Sequence, residues 1–180
     1  NSTDRSSSES VLIEFLEKEN INKNSNIIFC QATSPMTSNK DISNAIKLFN
    51  KSNYDSLLSV VKNYNFFWDQ KKGSAVNYNP SKRPRRQDHQ PYYQENGAIY
   101  INNSKNIVKH KNRLSGEIGF YIMTNENQLE IDDNVEFKII ERLLAEKYKK
   151  IHTKNLIKLF VSDIDGTLTD GGMYYSESGE

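Results

Sequence analysis

Asp163 and Asp165 stand two residues apart, just after the apolar run 156–161 and Ser162, and directly before Gly166 and Thr167. A strand returns every second side chain to one face, so this spacing delivers two carboxylates to one turn. That is the arrangement needed for a carboxylate nucleophile with a neighbouring acid/base, acting on a phosphate ester with Mg²⁺. A second carboxylate pair, Glu130 and Asp132, has the same spacing. Two oxygen ligands on one side of an extended segment suit Mg²⁺, which takes one or two carboxylates and fills its shell with phosphate and water. The competing reading is electrostatic support of the helix that follows. Asp133, three residues before Glu136, can provide that cap, and it leaves Glu130 and Asp132 without a capping role.

Lys82, Arg83, Arg85 and Arg86 crowd four cations around Pro84 in a chain with 24 basic and 23 acidic residues. Three readings stay open for them: a solvated loop, a nucleic-acid or nuclear-import-like patch, and a clamp for the carboxylate and phosphate groups of a small substrate. Gln31, Ala32, Thr33, Ser34 and Pro35 follow the apolar run 27–30. Open α/β sheets place ligand loops at such strand ends. Asn96 and Gly97 form a turn-like pair opening the strand that carries Tyr100, and by itself such a pair means only a turn.

The elements that must position these residues follow from apolar periodicity. Ser6 and Glu9 have capping-box spacing, and Val11, Leu12, Phe15 and Leu16 then repeat with helical period to about residue 19. The run 27–30 reads as a strand buried on both faces of a parallel sheet. Ile42, Ala45, Ile46 and Phe49 mark a second helix and residues 57–61 a second strand. Residues 62–91 break into aromatic, turn and basic pieces, as expected of an excursion that carries binding groups. Further strands are expected at 98–101 and 119–123, a short helix at Ile107 and Val108, and a helix at 135–144 with its apolar stripe at Val135, Ile139, Leu143 and Leu144. Residues 149–155 read as a lysine-containing linker and 156–161 as the first strand of a second domain. The expected fold is therefore α/β twice over, with domains at 1–148 and 156–180.

The charge balance demands neither nucleic acid nor an anionic membrane. No apolar run nears the roughly 20 residues that span a bilayer, and the first ten residues lack the pattern of a secretion signal, so cytoplasmic localisation is expected. The single cysteine, Cys30, lies in an apolar run and reads as a buried free thiol. Both ends read as cut, since the chain starts at Asn1 without Met.

In their order and spacing, residues 6–8, 31–35, 82–87, 95–100 and 130–132 resemble the CMP-sialic acid synthetase family over residues 1–148. The resemblance implies a partial Rossmann-like nucleotidyltransferase domain that uses CTP, Mg²⁺ and a nine-carbon 2-keto sugar acid. It implies that Ser8 faces the cytidine, that Gln31, Ser34, Asn96 and Tyr100 line the sugar-acid pocket, and that Arg86 neutralises anionic substrate. Asp132 would hold the metal, with Glu130 standing where the family usually has aspartate. The glycine- and lysine-containing phosphate loop of that family is not in these 180 residues, so the chain alone is expected to lack cytidylyl transfer. Legionaminic, pseudaminic and octulosonic acids remain alternative sugars. Residues 158–172 resemble the first motif of haloacid-dehalogenase-like (HAD-like) phosphatases of the cap-less branch. That resemblance implies Asp163 as nucleophile and Mg²⁺ ligand, Asp165 as acid/base with its carbonyl on the metal, a sugar-acid phosphate as substrate and a homo-oligomer. An oligomerising, non-catalytic segment is the rival reading.

Overall fold

The computed structural model of the chain describes residues 7–148. The chain divides into two compact units, 1–144 and 145–180. The first unit holds the elements that gather the site. The linker at 149–155, the strand at 156–161 and the pair Asp163 and Asp165 lie outside the described residues, as does Ser6.

The central sheet has four strands in the order β1-β5-β2-β6, with β1 Asn26–Cys30, β2 Ser56–Asn63, β5 Tyr92–Asn103 and β6 Ile118–Met123. β5 runs antiparallel to both β1 and β2, whereas β6 is parallel to β2. This is the α/β architecture expected, with a mixed sheet. It corrects the reading of residues 27–30: β1 is an edge strand, antiparallel to its neighbour and alternately exposed, not a strand buried on both faces. Short apolar runs do not distinguish edge from centre, and the strand buried at every position but one, Lys62, is β2. Cys30 is likewise exposed rather than buried, and partial desolvation pushes its thiol pKa up, away from a nucleophilic thiolate.

The first helix, α1 (Ser8–Lys18), is capped by Ser7, whose side chain accepts from Ser10 N, and not by a Ser6–Glu9 box. Leu12 and Leu16 are buried beside Ile107 of α3 (Ser104–His110), while Val11 and Phe15 from the same expected stripe are half exposed. The second helix, α2 (Asn39–Lys51), carries a complete capping box between Ser38 and Asp41. Its Ala45 is fully buried, and Ile42, Ile46 and Phe49 pack on the core of Leu57, Val61, Ile99 and Ile101. The last helix, α4 (Asn134–Tyr148), begins where expected, with Asp133 Oδ1 accepting from Val135 N and Glu136 N at 2.8 and 2.9 Å. Its docking residue is Ile140, however, and the predicted stripe at Val135, Ile139 and Leu143 is exposed. Among the described residues no helix is long and apolar enough to cross a membrane.

The excursion after β2 contains a minimal hairpin, β3 (Trp68–Asp69) with β4 (Ser74–Ala75), and two short 3₁₀ turns, Pro80–Lys82 and Arg86–Asp88. It is framed by an aromatic knot: the Phe66 ring lies 4.6 Å from Tyr78, 4.9 Å from His89 and 4.5 Å from the Arg83 guanidinium carbon.

Candidate functional site at the β5 bulge

The site is built by an interruption in the β2–β5 ladder. Leu58 pairs with Tyr100 but Val60 pairs with Glu95, so residues 96–99 of β5 stand opposite Ser59 alone. A bulge of this kind leaves backbone groups unpaired and re-aims side chains. Ser59 repairs the gap: its Oγ accepts from Ile99 N at 2.8 Å and donates to Asn96 Oδ1 at 2.6 Å. The Asn96 amide, with no solvent exposure, donates to Asn127 O at 2.9 Å and approaches Met123 Sδ at 3.3 Å. Each polar atom of the Asn96 side chain is thus spent on the protein, as burial requires. Asn96 shapes the site from within.

Two further bonds bring distant segments to the bulge. Ser34 Oγ donates to Asn96 O at 3.1 Å, and Ile131 N donates to Thr33 O at 2.8 Å. The loop at 31–35, the bulge and the segment at 130–132 therefore meet, although 62 residues separate Ser34 from Asn96. Their meeting point is Gly97, at φ +66°. A Cβ there would lie 2.7 Å from both Gln31 Oε1 and Glu130 Oε2. Glycine is required by its left-handed backbone, and its missing side chain is the space into which an amide and a carboxylate both reach.

Tyr100 lies on the same strand and is only 3% exposed, and its hydroxyl donates to Glu95 Oε1. Burial, the Glu95 bond and the Glu95 charge hold the phenol well above its ordinary pKa. Glu130 also titrates above the usual carboxylate range, first because it is partly buried and then because Asp132, Glu95 and Glu136 surround it with negative charge. Among the described residues no hydrogen-bond or ion-pair partner is placed on the carboxylate of Glu130 or Asp132. Repelling, unpartnered oxygens of this kind match a hard divalent cation. No cluster of three or more His, Cys, Asp or Glu side chains able to hold a metal forms among the described residues, so the two carboxylates would need water and phosphate to complete a shell. Asp132 borders an open hollow with Ile131, Asp133, Asn134 and Phe137.

Other predicted residues stand apart. Ser8 is the first residue of α1. Arg86 is exposed in its 3₁₀ turn, and no contact joins it to Gln31 or Glu130 among the described residues. A cavity of about 600 Å³ between α1 and α3, lined by Leu16, Ile21, Lys105 and Val108 among others, contains none of the predicted site residues. Sequence reading gave no role to Ser59 or Glu95. Glu95 carries a faint signal, being a carboxylate just before the Asn-Gly pair. Ser59 carries none, because its part depends on a bulge in another strand.

The family profile described as "Cytidylyltransferase" matches residues 1–163. The chain is 35% identical over 157 residues to N-acylneuraminate cytidylyltransferase A of Danio rerio, covering 83% of this chain and 36% of that protein. It is 32% identical over 161 residues to N-acylneuraminate cytidylyltransferase of Oncorhynchus mykiss, covering 86% and 37%. The protein of that name from Streptococcus agalactiae serotype III (strain NEM316) is 30% identical over 141 residues, covering 76% and 34%. The chain spans about a third of the length of these curated relatives. A match over most of the chain, on residues that the fold gathers around Gly97, shows that it belongs to the cytidylyltransferase family.

Proposed function

We propose that the protein transfers a cytidylyl group from CTP to a sialic-acid-like 2-keto sugar acid. The anomeric hydroxyl oxygen forms a bond to the α-phosphorus, the bond from that phosphorus to the bridging oxygen breaks, pyrophosphate leaves, and the hydroxyl proton passes to solvent or a carboxylate. The observation that carries this reading is the convergence of Gln31 and Glu130 over Gly97 in a chain of this family. Gln31 and the Tyr100 hydroxyl offer neutral polar groups to a polyhydroxylated acid, while Ser34, Ser59 and Asn96 keep the bulge in shape. Glu130 and Asp132 would hold Mg²⁺, which when bound offsets charge on the phosphates. The names of the relatives favour an N-acylneuraminate over the other 2-keto acids.

In the full-length protein Asp132→Asn is expected to abolish Mg²⁺-dependent pyrophosphate release and leave the unfolding temperature unchanged, because the side chain is exposed. Near-normal turnover in that variant would remove Asp132 from the site.

A second activity rests on the sequence alone: the Asp163, Asp165, Gly166, Thr167 pattern supports phosphate release from a sugar-acid phosphate, with Asp163 as nucleophile. Asp163→Asn should end that release and spare cytidylyl transfer. A wild-type protein that frees no phosphate from any such ester would leave the segment without that activity.

A further inference from the structure

Arg113 lies in the turn between α3 and β6, outside every motif discussed above, yet it reaches the face of Tyr100. Its guanidinium carbon is 4.5 Å from the Tyr100 ring centroid and 5.7 Å from that of Phe29. Its Nε lies 3.0 Å from Glu9 Oε1, in the first turn of α1 and next to Ser8. Its own carbonyl accepts from Asn102 Nδ2 at 3.0 Å, which fixes the turn to β5. Nη1 is buried with no hydrogen-bond acceptor. An unpaired buried donor on a cation is costly, and here the compensating negative surface is the π face of the rings.

Tyr100 is therefore held at two places by opposite charges. Arg113 sits on the ring, and Glu95 accepts the hydrogen bond of the hydroxyl at the far end. Leu58, Val60 and Leu114 close around the same ring. A phenol clamped in this way offers its oxygen lone pairs in one direction only.

We propose that Arg113 is a positioning residue: it clamps the Tyr100 ring between β5 and the first turn of α1, so that the Tyr100 hydroxyl meets an acidic sugar in a single orientation. The inference rests on the reading of the site as one for a sugar acid. It adds a residue that ties the Tyr100 side of the site to the start of the helix carrying Ser8.

The test is calorimetric titration of the full-length protein with CMP-N-acetylneuraminate, and with CTP as a control, for Arg113→Met, Tyr100→Phe and the double variant. Arg113→Met keeps the stem that covers the rings and removes the charge. It should weaken CMP-N-acetylneuraminate about tenfold, the scale of a partly desolvated cation–π contact. Because it acts through Tyr100, the double variant should be no weaker than Tyr100→Phe by more than about twofold. A residue that merely supported the fold would give additive losses. Arg113→Lys should recover part of the affinity. If Arg113→Met does not fold, Glu9→Gln loosens the same clamp at its outer end and should weaken the ligand about threefold, short of the full Arg113 effect. Unchanged affinity in these variants, or strict additivity with Tyr100→Phe, overturns the role of Arg113 while leaving the site reading intact. A wild-type protein that binds neither CTP nor CMP-N-acetylneuraminate overturns the site reading, and this inference with it.

Discussion

The bulge at 95–100 and the basic loop at 82–86 were both marked by sequence as places for function, and the fold treats them in opposite ways. At the bulge the polar groups are turned inward and spent: Asn96 is fully buried, and Ser59, Ser34, Asn127 and Met123 close around it. In the loop all four cations are exposed, and among the described residues Arg83 alone lies on aromatic rings, those of Phe66 and Tyr78. A neutral network buried in a sheet can be completed by the protein itself and gives shape. Exposed cations cost little to keep hydrated, and an anion from outside can recruit them. One region is thus a template and the other a reserve of charge, and substitutions in the two should separate stability from binding.

The largest effect is expected at the template. Asn96→Ala strips the Ser59 hydroxyl of its acceptor and Asn127 O of its donor, both out of reach of solvent, and each stranded group costs about 1 to 3 kcal/mol. We expect a loss of about 3 kcal/mol in thermal or denaturant unfolding. Should Asn96→Ala unfold like the wild type, the bulge would not be held by this network and the contrast with the loop would collapse.

The reserve should behave in the reverse manner. Arg86→Ala is expected to leave unfolding unchanged and to weaken CTP or the sugar acid by about 2 kcal/mol, the worth of a charge-assisted bond to an anion. If neither Michaelis constant nor turnover moves, the cations form a solvated loop. If the wild-type protein instead binds RNA with steep salt dependence, the nucleic-acid reading of the same residues gains the ground that the clamp loses.

How much of this was legible in the sequence differs between the same two regions. The basic cluster was visible because charge density is a local property, but the anion it serves is not written in those residues. At the bulge, Gln31, Ser34, Asn96, Tyr100 and Glu130 were each singled out, and the structure does bring the loop, the strand and the acidic segment together at Gly97. What could not be read was the reason. Asn-Gly signals a turn, whereas here Gly97 sits in an interrupted strand whose register shift is repaired by Ser59 across the sheet. The same limit explains β1: four apolar residues in a row look identical whether the strand has a neighbour on one side or two. It also explains α4, where helical period was read correctly but the buried position, Ile140, lies one residue off the expected stripe.

The smallest effect tests whether the template stores charge for a cation. Glu130 titrates above the usual carboxylate range because it is partly buried and faces Asp132, Glu95 and Glu136. The folded protein therefore holds the Glu130 proton more tightly than the unfolded chain does. At neutral pH the ionised group subtracts from stability. As pH falls through the raised folded value toward the ordinary carboxylate value, protonation relieves that loss, and below the ordinary value none of it remains. Glu130→Gln removes the charge and keeps the shape. In the absence of divalent ions it should unfold slightly later than the wild type at pH 7, with the difference fading as the pH approaches 4 or so, where Glu carboxyls ordinarily protonate. Adding Mg²⁺ should raise the unfolding temperature of the wild type and not that of Glu130→Gln, because a ligand that binds only the folded state stabilises it by mass action. A variant less stable than the wild type at pH 7 without metal would mean that Glu130 is held by an attractive partner. The carboxylate over Gly97 would then be structural, like Asn96 beside it.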